Sequence, residues 1–315
     1  MKSIIKSFSL VTTIVISSCI SCKNDTYTDN CNSNIEFDQS RGKADQTLNY
    51  NPYVSENIDN NNNTLTITSN SIPNHNVGLF GKLFGALNPN AIKPQSETYT
   101  ISLSPKETGT LISLLGENGP NYKFGILFNG LELDPIAAEP FPHKDRRSQN
   151  SNWTWNLEAL NANLGLDECN AHVQPTGKYH YHGKPTLYLE NLNINPKQMT
   201  QIGYAADGFP IYYKYAYKDP AGINSEIIAM TSSYQLKSGN RPGDGETAPC
   251  GKYNGIYSAD YEYIEGLGTL DKANGRNGIT PQYPEGTYYY VLTDEFPSIP
   301  RYFKGSPSND FKLLR

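Results

Sequence analysis

The sequence predicts a mainly β protein: an antiparallel β domain with a few short helices, carried on a flexible N-terminal tether. Three observations carry this expectation. The chain is rich in residues of strands and turns, with 23 Tyr, 26 Gly and 21 Pro against only 3 Met. Tyr suits a pleated, half-buried surface, and Gly and Pro punctuate turns. Short runs alternate apolar and polar residues, which is the period of a strand. Finally, these runs are not separated by long helical patterns, so the βαβ alternation of a dinucleotide-binding fold is missing. At 315 residues the chain allows one large domain or two small ones, with ample length for a core.

Taken in order, residues 1–19 read as an export signal. MKSIIKSFSLVTTIVISSC has two lysines, an apolar run, then small residues before Cys19. Ile16, Ser17 and Ser18 fit the apolar-small-small pattern that precedes a lipid-modified cysteine, so Cys19 is the expected lipidation site. Cys22 is the alternative, and a plain cleaved signal or an N-terminal anchor is the bland reading. The apolar run is short and rich in Ser and Thr for a membrane span. The expected location is therefore outside the cytoplasm, periplasmic or cell-surface, held to the membrane by lipid.

Residues 20–64 read as a disordered, Asn-rich tether ending in ENIDNNNNT. About 40 flexible residues have a typical end-to-end distance of ~35 Å. The folded domain is expected over 65–315. TLTITSN and ETYTISLS alternate as strands, and KFGILFNGLEL reads as two short strands around an Asn129-Gly130 turn. TWNLEALNANLGLD is the best helix candidate, with Trp155, Leu157, Leu160 and Leu164 on one side and Gly165 as a stop. GKYHYHGKP and GTYYYVLTD echo one another, as two related strands of one sheet or as two ordinary Tyr-rich strands.

A net charge of -5 and a pI near 5.6 argue against a nucleic-acid partner, which needs a basic face. With Cys19 lipidated, four cysteines remain, and an oxidising compartment permits disulfides. A Cys169–Cys250 bond is expected; a free thiol, or Cys169 as a metal ligand near His172, are the other readings.

The chemistry concentrates in the histidines. Three of the five fall in one short stretch: His172 in AHVQP, then His180 and His182 in GKYHYHGKP. On a strand, His180 and His182 point one way while Tyr179 and Tyr181 point the other. Two imidazoles on one face, joined by His172, make a three-His set. Zn or Cu accepts such a set while keeping a position open for water or substrate. The alternative is partly buried histidines bonded to backbone. His75 and His143 stand apart. Asp207 opens an Asp-Gly turn, and is also placed to accept a ring N–H of a ligating histidine. Asp271 and Arg276 read as an ion pair across a Gly-rich loop, or as substrate contacts. The Trp and Tyr set reads as core rather than as a sugar platform. There is no Gly-x-Ser-x-Gly elbow, Walker loop or His-Glu-x-x-His.

The stretch AHVQPTGKYHYHGKPTLYL, followed by IGYAADGFPIYY, resembles the YHYH protein family. NSIPNHNVG, FGILFNGLELDPIAAEPF, GTLDKANGRNGITPQYPEGTYYY and DEFPSIPRYFKG match its pattern too, from about residue 70 to 305. The resemblance implies export and this histidine cluster, without naming a reaction. Two departures stand out. TYYYV lacks the histidines that many members carry in a second such strand, and Tyr213 stands where Gly commonly follows DGFPIY. Two function classes remain. One is a metal-dependent extracytoplasmic protein, with a metal-dependent enzyme of unassigned reaction as its catalytic form. The other is a binding or scaffold lipoprotein for a glycan, protein or small molecule, with structural histidines. An acid or amide beside the three histidines favours the first, and an open aromatic strip remote from them favours the second.

Overall fold

The structure, a computed structural model, describes residues 35–143 and 150–313. The expected signal peptide and the lipidation candidates Cys19 and Cys22 lie outside the described residues.

The alternation in TLTITS becomes a real strand. β1 (Val54–Asp59), β2 (Thr64–Ser69) and β3 (Glu97–Ser102) form an antiparallel sheet, with Leu65, Ile67, Tyr99 and Ile101 on its buried face. The tether expectation fails over its C-terminal part. β1 pairs with β2 along its whole length. Upstream, Gly42 donates its N–H to Leu166 and accepts from Glu168, and Gln46 exchanges backbone bonds with Val77. Arg41 donates to Asn170 Oδ1 and to the Leu160 carbonyl, each at 2.8 Å. Polar composition correctly reported that this segment buries little apolar surface. It does not register that main-chain hydrogen bonds can hold a polar strand at a sheet edge.

The site is built on a second, eight-stranded sheet. Its strands are β4 (Gly125–Leu127), β5 (Glu132–Leu133), β6 (Ala171–Val173), β7 (Tyr179–Tyr181), β8 (Gln201–Ala205), β9 (Pro210–Tyr213), β10 (Gly275–Gly278) and β11 (Thr287–Leu292). The spatial order is β6-β7-β5-β4-β8-β9-β11-β10. Most neighbours are antiparallel, but β7 pairs parallel with β5, and β9 with β11. The β4–β5 turn falls at Asn129-Gly130 as the sequence predicts, with Gly130 at φ +77°. The two echoing Tyr-rich segments, β7 and β11, do lie in one sheet, with four strands between them. One apolar core spans both sheets, from Leu65 and Ile67 through Ile126, Leu133, Tyr179 and Tyr181 to Tyr290 and Phe311.

The helix candidate at 154–167 does not form. Asn152–Asn156 is a strand paired with Pro140–Phe141, and Leu157 bridges to Tyr257. Trp155 and Leu157, two residues apart, join Phe141, Ile256 and Tyr257 in a smaller core, which is strand spacing. Glu158 is also buried, and Arg301 neutralises it with both contacts at 2.9 Å. Among the described residues the one α-helix is Thr186–Asn191, directly after the histidine strand.

The Glu158–Arg301 pair is nearly dry, with side chains 1% and 8% exposed. Removing one partner strands the other charge in a low-dielectric interior. Glu158→Ala is therefore expected to destabilise the domain by ~3–5 kcal/mol. Urea unfolding measures this, and a loss below ~1 kcal/mol would contradict the buried pairing.

Candidate metal centre

β6 and β7 run antiparallel with His172 directly opposite His180, flanked by Ala171–Tyr181 and Val173–Tyr179. Paired residues send their side chains to the same face, and so does His182, two residues beyond His180. The result is convergence of three imidazoles. His180 Nε2 lies 3.0 Å from His182 Nε2, which lies 3.1 Å from His172 Nε2. One ligand atom from each residue lies within 4.8 Å of the others. Among the described residues this is the one His, Cys, Asp and Glu group with such geometry.

His172 Nδ1–H donates to the Leu164 carbonyl at 2.8 Å, which leaves its Nε2 as a lone pair aimed inward. Three facing Nε2 atoms cannot all be satisfied by one another. A proton on His182 Nε2 serves one contact and leaves the other unbonded. A cation satisfies all three. Tetrahedral ligands at the usual Zn–N length of ~2.0–2.1 Å stand about 3.3 Å apart, close to the spacing here. Burial pushes the pKa of His180 and His182 well below the ordinary value, and the neighbouring histidines add to it. His172 is lowered too, by burial, opposed by its bond to Leu164. The rings are therefore neutral at pH 7, the form that binds metal. His180 and His182 are 2% and 4% exposed, while His172 is half-buried and marks the open side.

Two further polar groups share this face, and sequence reading missed both. The backbone of Gln174 is bonded to Lys178 across β6 and β7, two residues on from His172. Asp134 follows β5, its N–H donating to Tyr181 O at 2.8 Å. The alternation in Glu132-Leu133-Asp134 was the available signal, but nothing in the sequence says that β5 lies beside β7. Glu132 is fully buried among Lys123, Lys178 and Tyr99, and Lys178 also holds Glu97 at 2.7 Å. Burial raises the Glu132 pKa, but the two lysines outweigh it and the net shift is down. Asp134 lacks such a partner. Burial and then Glu132 push it up to about 7, against Lys123, Lys178 and Arg301.

Tyr179 and Tyr181 face the other way, fully buried. Tyr179 donates to Asp167 at 2.8 Å. Tyr181 lies 2.6 Å from His75 Nε2 and accepts from Asn129 at 3.1 Å. His75 therefore belongs to the tyrosine face, and His143 lies 3.1 Å from the Tyr257 hydroxyl; neither joins the triad.

Several expectations need correction. Cys169 is a free, buried thiol, so the Cys169–Cys250 bond does not form. Cys250 is disulfide-bonded, and not to Cys169. Cys169 sits at the start of the turn into β6, 3.6 Å from His75 Nδ1, and burial beside Asp167 pushes its pKa up to about 12. It is neither a bridge nor a member of the triad. Asp207 accepts from the Tyr290 hydroxyl and the Gly305 N–H, at 2.6 and 2.9 Å, rather than from a histidine. Asp271 binds its own loop through the Ala273 and Gly275 N–H groups and accepts from Tyr288. Arg276 donates to Tyr217 O and Met230 Sδ, so no Asp271–Arg276 pair exists.

A mixed β domain with a three-histidine cluster on adjacent antiparallel strands defines a class of candidate metal-binding domains. The sequence profile of the YHYH protein family matches residues 98–305, and the chain belongs to that family. Searches of curated proteins and of solved structures return no match.

Asp134 carries a testable linkage. Its folded pKa is raised, so the native state holds a proton that the unfolded state has already lost between pH 4 and 7. Its contribution to stability is therefore greatest in acid and falls as pH rises to about 7. In metal-free protein, Asp134→Asn should gain on wild type by on the order of 2 kcal/mol between pH 5 and pH 8. Paired urea titrations read this directly, and a pH-independent difference would contradict the buried carboxyl.

Proposed function

We propose that the protein is an exported metal-binding protein in which His172, His180 and His182 hold one transition-metal ion. The convergence of three Nε2 atoms within 3.0–3.1 Å contacts carries this reading. The ligand set is three neutral nitrogens with no thiolate, since Cys169 is protonated and outside the group. That chemistry suits Zn²⁺, or Cu²⁺ as the alternative, over a soft copper(I) site. When bound by three ligands, such an ion acts as a Lewis acid with a free position. The chain's own residues supply the rest: the Leu164 carbonyl orients His172, and the buried His180 and His182 keep competing water out. An acid and an amide, Asp134 and Gln174, follow the two strands that flank β7 and favour an enzyme over a passive store.

A specific observation favours a second reading. A cleft of about 1200 Å³ is lined by Trp153, Tyr234, Tyr261, Phe296 and Tyr302 together with polar groups. Aromatic side chains lining a cleft suit a glycan, and the metal would then be structural.

Elemental analysis of untagged protein is the test. Wild type is expected to carry one Zn or Cu per chain. A His180→Ala, His182→Ala variant should lose it while keeping its circular dichroism, because the Tyr179 and Tyr181 face still packs. Stoichiometric metal in that variant would rule out the pair. A metal-free wild type that cannot be loaded would move the assignment to the aromatic cleft.

Export and lipid anchoring at Cys19 are part of the proposal, supported by the ISSC sequence after the apolar run. Among the described residues no helix is long and apolar enough to cross a membrane. Mass spectrometry of the mature N-terminus is expected to find a diacylated or triacylated Cys19. A modified Cys22 would correct the cleavage site, and an unmodified start beyond residue 22 would remove the anchor.

A further inference from the structure

The loop 81–90 carries the most exposed large apolar side chains among the described residues. Phe84 is 104% exposed and its neighbour Leu83 is 62% exposed. A single apolar side chain at a surface is ordinary, but two large adjacent ones at a loop tip mark a contact surface. The loop is held in shape by its own backbone. Leu87 N–H donates to the Leu79 carbonyl at 2.8 Å, Gly81 N–H to Asn88 O at 3.0 Å, and Ala86 N–H to Leu83 O at 3.2 Å. Gly81 and Gly85 stand at φ +110° and +78°, so the chain turns sharply on either side of the apex. Below the apex the apolar residues turn inward. Phe80 and Leu87 pack on the main core, and Leu87 lies so close to Gly42 and Gly78 that neither has room for a Cβ. Asn88 and Asn90 donate to the Val173 carbonyl at 3.0 and 2.9 Å, which fastens the foot of the loop to the edge strand β6.

The charge around the loop is biased as well. The whole chain carries a net charge of -5, yet no Asp or Glu occurs between Asp59 and Glu97. The same stretch supplies Lys82 and Lys93, both exposed. At the foot, Glu168 is occupied by the Ala44 N–H. An apolar tip with a cation beside it and no acid suits an anionic lipid surface. The Leu and Phe side chains enter the boundary of the acyl chains, and the lysine keeps its ammonium among the head groups. We propose that Leu83 and Phe84 form a docking finger that dips into the leaflet of a membrane. The proposal takes its setting from the lipid-anchor reading. Cys19 precedes Ile35 by sixteen residues, a span of no more than ~60 Å, so an anchored domain stays near the surface. An anchor limits distance but leaves orientation free, and the finger supplies the orientation. Two side chains hold weakly by themselves, since even one myristoyl chain gives only about 10⁴ M⁻¹. Their contact counts because the anchor has already brought the partners together. With its foot bonded to Val173, the finger brings the sheet edge that carries His172 near the membrane.

Fluorescence of the full chain carrying Phe84→Trp tests this. The probes are vesicles of phosphatidylethanolamine and phosphatidylglycerol, with and without phosphatidylcholine brominated on its acyl chains. Wild type measures the background of Trp153 and Trp155. The new indole should shift to the blue on vesicles and be quenched by the brominated lipid. Adding Leu83→Asp, or leaving out phosphatidylglycerol, should remove most of that quenching. The mass of the mature N-terminus, measured on the same sample, reports the anchor separately. A lipidated N-terminus with an unquenched indole overturns the finger and leaves the anchor standing. Quenching with an unmodified N-terminus supports the finger and removes the anchor. Blue emission without vesicles that turns red on dilution overturns the proposal, because the apex then packs on a second copy of the chain. Red, unquenched emission throughout overturns it too.

Discussion

Strand register is the constraint on which the rest of this structure depends. His172 meets His180 because Ala171 meets Tyr181 and Val173 meets Tyr179. A slip of one residue between β6 and β7 would put His172 on the tyrosine face and dissolve the cluster. The register is held from both sides of the sheet. On one side, Tyr179 and Tyr181 are buried and bonded to Asp167, His75 and Asn129. On the other, Lys178 is tied to Glu97 and Glu132. The apolar and phenolic face thus secures the polar one, and the short strand needs no length of its own to be specific.

Burying charge on this scale demands that almost every ion have a partner. Glu132 sits at full burial because two lysines and a tyrosine hydroxyl converge on it, and Asp260 because Arg241 does, at 2.6 Å. Each such pair contributes less to stability than it costs to break, since its Coulomb gain mostly offsets desolvation. What the pairs do contribute is placement. They fix β5 against β7, and the strand from Asn152 to Asn156 against the C-terminal segment that holds Arg301. Some buried polar atoms nevertheless lack a protein partner: His180 Nδ1, His182 Nδ1 and Asp134 Oδ1, and elsewhere Asp207 Oδ1, Asn274 Oδ1 and Tyr289 Oη. Unsatisfied groups of this kind are expensive wherever they occur.

The two faces of β7 divide the chemistry. The tyrosine face carries Cys169 and His75 in an environment that keeps the thiol protonated, so it behaves as core. The histidine face keeps its imidazoles neutral through desolvation and mutual repulsion, the state in which an imidazole is able to bind a metal. One tetrapeptide therefore serves both packing and site, and its alternation keeps the two from competing.

Much of this was legible in the sequence, because it depends on local periodicity. Alternation gave β2, β3 and β7, the Asn129-Gly130 turn gave the β4–β5 hairpin, and His-x-His gave two convergent rings. The resemblance to the YHYH family is also a property of the chain alone. What the sequence misjudged depends on partners distant along the chain. Residues 41–59 looked like tether because their composition is polar, yet their backbone pairs with Leu166, Glu168, Val77 and β2. Residues 154–167 looked helical because leucines recur, yet a strand partner and a buried Arg301 decided otherwise. Cys169 was counted into a bridge, yet it is a free, buried thiol. Asp134 went unseen because only the parallel pairing of β5 with β7 puts it on the histidine side of the sheet. The sequence determines which way each side chain points along its own strand. Only the tertiary structure decides which strands are neighbours, since strand pairing joins residues whose separation along the chain leaves no periodic trace.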